Sequence, residues 1–170
     1  WSWEQSILSE IVKKYMSGKQ VKYLDFACGT GRIISFLESK FAESYGVDVS
    51  DSMLDAGKKN VKKATLINAD LTKNTIFQNE EFDLITTFRF FLNAQPELRQ
   101  EALSVLTKLL KKDGYLVFNV HMNSTSSLAL MLRFYGFLTK TNKVENTLSI
   151  KQVSDMVARE GLEIIDTFHL

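Results

Sequence analysis

Three carboxylates, Asp25, Asp48 and Asp70, stand at the ends of apolar, strand-like stretches, and the first leads into a turn carrying Gly29 and Gly31. Ionised carboxylates are strong hydrogen-bond acceptors, so such a set beside a glycine turn suits a ligand rich in hydroxyl and amino donors. Glycine lets the backbone approach a ligand where a Cβ would block it. Asp48 follows Gly29 by nineteen residues, the interval at which doubly wound α/β domains place the carboxylate that takes ribose hydroxyls. The spacing points to a nucleotide-cofactor site. Two further groups could act on a second substrate. His121 carries an imidazole able to serve as a general base near neutral pH. Arg89 carries a guanidinium suited to an acidic acceptor.

The elements that must position these groups follow a strand and helix rhythm. Val21, Tyr23, Leu24 and Phe26 suit a strand over residues 21–26, and the apolar stripe Ile33, Ile34, Phe36 and Leu37 predicts a helix starting at Thr30 or Gly31. Residues 45–49 and 64–68 predict the next two strands, with Ser50 or Asp51 capping the helix between them. Residues 82–87 predict a fourth strand. The aromatic run after it, from Phe88 to Phe91, suits either a core seal or a pocket lining. A proline-led helix over residues 96–112, with Leu98, Ala102, Val105, Leu106 and Leu109 on one apolar face and stopped by Asp113 and Gly114, precedes a fifth strand over 115–120 that delivers Asn119 and His121 to the carboxyl edge. This order predicts an α/β fold: a doubly wound, mostly parallel sheet with right-handed crossovers.

Here the sequence resembles the class I (Rossmann-like) S-adenosylmethionine-dependent methyltransferases, whose first motif is an acidic residue before a small-x-Gly-x-Gly turn. The matching residues are Asp25-Phe26-Ala27-Cys28-Gly29-Thr30-Gly31, and the resemblance covers roughly residues 20–120. It implies S-adenosylmethionine as cofactor. Gly29 and Gly31 would face its methionine part, Asp25 help position its amino group, Asp48 hold the ribose and Asp70 read the adenine. Val49, Met53, Leu71 and Phe88, next to these positions, join the implied cofactor-binding set. Ala27 stands where the family usually has its first glycine, which leaves less room at the turn. A nicotinamide-dependent oxidoreductase would share the turn and Asp48, but Asp25 and Asp70 favour the methyltransferase pattern. A noncatalytic cofactor-binding module or subunit is the alternative. As a surface carboxylate at a strand end, Asp48 is expected to matter little for stability.

Composition bounds the rest. The 170 residues, 45% apolar and 24% charged with net charge +1, make a single domain without the charge excess of a nucleic-acid binder. The basic run at Lys58, Lys59, Lys62 and Lys63 reads as a solvated face. With no asparagine-proline-proline-aromatic tetrapeptide, the expected acceptor is a small molecule such as a sugar or other metabolite, bearing a hydroxyl. One cysteine, Cys28, allows no internal disulfide and no zinc spacing, so no metal is expected and a reducing cytoplasm fits. Its thiol suits filling the turn better than nucleophilic attack. No stretch is long and apolar enough for a membrane span. Residues 1–16 predict a helix whose Tyr15, Trp1 and Trp3 could attract a sulfonium cation. Residues 122–147 read as an insertion after the fifth strand. Its apolar part, 128–138, suits a helix capping the site, a contact between copies in a homo-oligomer, or docking at a membrane surface. A helix over 148–160, with Ile150, Val153, Met156 and Val157 inward, then leads to a sixth strand over 162–168. No residues remain for the family's final antiparallel strand. With no initiator methionine, a piece of a longer chain is expected.

Overall fold

The computed structural model describes residues 1–18, 20–122 and 147–168. Helix α1 (Ser2–Tyr15) leads to strand β1 (Lys22–Phe26), helix α2 (Arg32–Leu37) with a short 3-10 turn (Glu38–Lys40), strand β2 (Glu43–Asp48), helix α3 (Asp51–Gly57) and strand β3 (Thr65–Asn68). Strand β4 (Phe82–Thr87), the single turn α4 (Phe90–Asn93), helix α5 (Pro96–Leu109) and strand β5 (Leu110–Phe118) complete the sheet. A small ladder joins β6 (His121–Met122) to β7 (Thr147–Leu148), and helix α6 (Ile150–Ala158) follows.

The five strands run parallel in the order β3-β2-β1-β4-β5. The order reverses between β1 and β4. In open α/β sheets such a switch point opens a crevice beyond the carboxyl ends of the strands, where ligands bind. Alternating β1 side chains feed two cores. Tyr23 packs with Leu8, Ile33, Ile34, Leu37 and Leu54 from α1, α2 and α3 on one face. Leu24 and Phe26 pack with Ala102, Leu103 and Leu106 of α5 and Val157 of α6 on the other. Helices lie on both faces, so the central strands β1 and β4 are buried along most of their length.

Four expectations are corrected. The α5 helix stops at Leu109 rather than at residue 112, because Leu110 already pairs with Phe82 and a register shift between Phe82 and Leu84 absorbs residues 111–114 before Tyr115 pairs with Leu84. Lys111-Lys112-Asp113-Gly114 is thus a bulge within a strand, not a helix stop. Residues 162–168 form no strand, and Ile164 and Ile165 are exposed there. Ile150, expected inward, is 61% exposed at the first position of α6, while Val153 and Val157 are buried. Leu98 lies at the surface edge of α5. The apolar stretch 128–138 and its three suggested roles fall outside the described residues. Among the described residues no helix is long and apolar enough to cross a membrane.

Candidate cofactor and methyl-transfer site

The turn after β1 is shaped by three residues with positive φ: Ala27 at 55°, Gly29 at 54° and Gly31 at 75°. An L side chain in this region costs roughly 1–2 kcal/mol, so Ala27 carries strain that a glycine would not. A Cβ built on Gly29 meets nothing within 4 Å, which shows open space above the turn. One built on Gly31 would lie 2.5 Å from Val61, so this glycine is required by packing. Cys28 is buried, and its sulfur would sit 3.0 Å from a Cβ at Gly46. Burial pushes its thiol up, and the neighbouring carboxylates push it further. It fills the turn and stays protonated, as a nucleophilic thiolate would not.

Asp48, at the end of β2, is half-buried and tied to that turn. Its Oδ2 accepts the Gly29 N–H at 2.7 Å and its Oδ1 accepts the Ser50 N–H at 2.9 Å. This corrects the expectation that Asp48 contributes little to stability: the carboxylate stitches the end of β2 to the glycine turn and to the start of α3. A carboxylate has about four lone-pair sites, so two remain for a ligand. Val49 and Met53 flank it, 67% and 47% exposed. Asp70 lies just past β3. Its Oδ1 accepts both the Thr72 hydroxyl at 2.7 Å and the Thr72 N–H at 3.0 Å, and its other oxygen pairs with the exposed Lys73. The Thr72 hydroxyl first, and Lys73 next, hold the Asp70 carboxyl below its usual range. Leu71 is buried in the core, so only its backbone is on offer.

Asp25 sits beneath the turn, 1% exposed. Its Oδ1 accepts the Thr86 hydroxyl at 2.7 Å and its Oδ2 accepts the Ile34 N–H at 3.1 Å. Burial pushes its carboxyl up to about 7; the two hydrogen bonds and Arg32 pull the other way. Both oxygens are therefore engaged inside the fold. Thr86 is a partner the sequence did not single out. The available signal was a hydroxyl inside the apolar run of β4, one strand away from Asp25.

At the carboxyl end of β4, Phe91 is fully buried against Phe118, and Phe90 stands edge-on to Phe26. For these two the core reading holds. Phe88 is half-buried against the other core. Arg89 has φ 68° and an exposed side chain, and its N–H donates to Asn119 Oδ1 at 2.7 Å, which joins the ends of β4 and β5. A non-glycine residue held at positive φ at a ligand edge is a recurrent mark of functional loops. His121 opens β6, three residues past the end of β5, and its backbone pairs with Thr147. The α1 aromatics meet other partners: Arg32 lies 4.6 Å over the Trp1 ring while pairing with Glu4, and Tyr15 stacks on Tyr115 and donates to Asp166.

The arrangement fits an adenosine-bearing cofactor: free space over Gly29, acceptor carboxylates at the ends of β2 and β3, and exposed apolar side chains between them. The family model described as methyltransferase domain matches residues 24–118. The ubiquinone/menaquinone biosynthesis C-methyltransferase UbiE of Campylobacter jejuni is 28% identical over 191 residues, which take in 97% of this chain and 80% of that protein. An uncharacterised protein of Rickettsia prowazekii is 29% identical across 86% of this chain and 68% of its own length. Other curated relatives are matched over about half their length. The solved magnesium protoporphyrin IX methyltransferase of Synechocystis PCC 6803, with bound S-adenosylhomocysteine, superposes with TM-score 0.74 at 16% identity, covering 97% of this chain and 76% of that one, a likeness of fold. With its parallel sheet, its glycine turn and more than half of its length matched, this chain belongs to the methyltransferase-domain family, the class I S-adenosylmethionine-dependent methyltransferases, and S-adenosylmethionine is its cofactor.

Proposed function

We propose that residues 1–170 act as one domain that moves the methyl group of S-adenosylmethionine to a small-molecule acceptor, with the cofactor lying over the Ala27–Gly31 turn. The observation that carries this reading is the open space above Gly29, with Asp48, which holds the Gly29 amide, and Asp70 at the ends of the next two strands in the sheet. In this reading Gly29 lets the backbone approach the methionine part, with Gly31 closing the turn beside it, Asp48 accepts the ribose hydroxyls with its remaining lone pairs, and Asp70 takes the adenine amino group. Val49 and Met53 cover the adenine ring, Leu71 offers its backbone beside it, and Phe88 closes the turn from the side of β4.

When bound, the cofactor supplies an electrophilic methyl on a sulfonium, open to in-line displacement. The protein then has little covalent chemistry to do. Its residues align the acceptor with the methyl carbon and exclude water, which is where most of the acceleration in such a reaction arises. His121, at the carboxyl edge, takes the proton of an acceptor hydroxyl, and Arg89 holds an acidic group on the acceptor. The Campylobacter relative is by name a C-methyltransferase of ubiquinone/menaquinone biosynthesis, which supports a small-molecule acceptor and makes a carbon atom the alternative to the hydroxyl oxygen. Incubation with methyl-labelled cofactor and fractionated metabolite pools, read by mass spectrometry, tests the proposal. The expected result is label in a low-mass product, and label found only in nucleic acid or protein refutes it.

A further inference from the structure

We infer that Tyr23, Thr86 and Asp25 form a buried, one-way hydrogen-bond relay that positions the cofactor turn and makes cofactor affinity depend on the ionisation of Asp25. The inference rests on the proposed placement of the cofactor over that turn. All three side chains are buried. Tyr23 Oη lies 2.6 Å from Thr86 Oγ1, and Thr86 Oγ1 lies 2.7 Å from Asp25 Oδ1. A hydroxyl has one proton to donate. Thr86 gives its proton to Asp25, so Tyr23 must donate to Thr86, and the chain has a direction that ends on the carboxylate.

The far side of Asp25 fixes the turn. Helix α2 begins at Arg32, and its N-cap residue Gly31 has no side chain to cap it. The first amides of a helix lack intrahelical acceptors, and a cap side chain ordinarily serves one of them. Here Asp25 reaches across from β1 and accepts the N–H of Ile34, three residues into the helix. The turn from Ala27 to Gly31 is thus held between a strand and a helix that share this carboxylate. A proton on Oδ1 would force the relay to reverse and leave the Tyr23 hydroxyl without its acceptor. A proton on Oδ2 would face the Ile34 N–H, donor against donor. The relay therefore complements the ionised form, while burial opposes it and brings the group to about 7.

The other groups facing Asp25 from the elements around it are few. Arg32 of α2 favours the ionised form, and Asp48 of β2 disfavours it. Cys28 in the turn and Tyr23 on the same strand stay neutral, both pushed up by burial. A ligand that brings an ammonium group to the turn favours the anion beneath it, so binding draws a proton off Asp25. By linkage, affinity then rises with pH by at most about tenfold per unit until the group is ionised.

Calorimetric titration with S-adenosylhomocysteine between about pH 6 and pH 8 tests the relay. The wild-type protein should bind about tenfold more tightly at the upper end and release protons in buffers of different ionisation heat. Thr86→Val removes the donor to Oδ1 and should shift this rise to higher pH, weakening binding near pH 7 roughly three- to tenfold while the gap closes in alkali. Thr86→Ser should restore the wild-type profile. Tyr23→Phe should give a smaller shift in the same direction and serves as the readout if Thr86→Val does not fold. A pH-independent loss in these variants, or a flat wild-type profile, overturns the relay while leaving the cofactor site standing. Absence of binding at every pH overturns the site and the relay with it.

Discussion

Asp25→Asn removes a buried charge while keeping the side chain's size, and its effect on stability should change with pH. The native carboxyl holds its proton up to about 7, whereas an unfolded aspartate releases it near 3.8. In that window the folded state binds more protons than the unfolded one. Stability from this group is therefore present in full at acid pH and is lost as pH rises towards about 7. Each pH unit in the window corresponds to about 1.4 kcal/mol, so between about pH 5.5 and pH 8.5 the wild-type protein should lose ~2 kcal/mol through Asp25 alone. Asparagine does not titrate. With its oxygen on the Ile34 N–H, its amide faces Thr86 and the relay runs in reverse, the same arrangement that a proton on Oδ1 imposes on the wild-type carboxyl. Near pH 5.5, where the folded wild-type carboxyl still holds its proton and the unfolded one has released it, the variant should thus be at least as stable as the wild type. Near pH 8.5 the balance should have moved a further ~2 kcal/mol in the variant's favour. Urea unfolding of both proteins at the two pH values, with linear extrapolation, measures this directly. A wild-type-to-variant difference that is the same at both pH values would refute the placement of a titrating, desolvated carboxyl beneath the turn.

Other outcomes follow from the same geometry. Ala27→Val puts a β-branched side chain at φ 55° and should lower stability by at least ~1 kcal/mol in urea melts, whereas Ala27→Gly should leave it equal or raise it. Glu38 is buried and its carboxylate accepts the N–H groups of Lys62, Lys63 and Ala64; burial alone would push its carboxyl up, but these backbone donors outweigh that and hold it low. Glu38→Gln should therefore cost about 1–3 kcal/mol at neutral pH, and the wild-type advantage should fade as pH drops below the ordinary glutamate value of 4.5, as acid titration followed by circular dichroism would show. Asp48→Ala should weaken cofactor binding by roughly 1–3 kcal/mol and also lower the melting temperature, because the Gly29 and Ser50 amides lose their acceptor; calorimetry reads the first and thermal melting the second. Once an acceptor is known, His121→Asn should reduce turnover roughly 10²- to 10⁴-fold with cofactor affinity nearly unchanged if His121 is the base, and an unchanged pH profile of turnover would remove it from that role.

What was legible in the sequence was local. The glycine turn, the strands before it and after it, and the placing of Asp48 and Asp70 at strand ends all rest on neighbours within a few residues, where period and turn chemistry decide. The end of α5 misled for the same reason: Lys111 to Gly114 carries every local sign of a stop, but the sheet pulls Leu110 into register with Phe82 and makes those residues a bulge. Partners far apart in sequence left no such trace. Thr86 stands 61 residues from Asp25 and Glu38 collects amides 24 to 26 residues on. Asp48 shows why even a well-placed residue was only half legible. Its spacing marks it as an acceptor for a ligand, and that reading carried the assumption that the fold could spare it. The structure has the same carboxylate accepting the Gly29 and Ser50 amides. The two functions do not compete, because those amides use about half of its lone pairs and fix the direction of the rest. A side chain already held by the turn loses less freedom when it meets a ligand, so the bonds that stabilise the fold also prepare the acceptor.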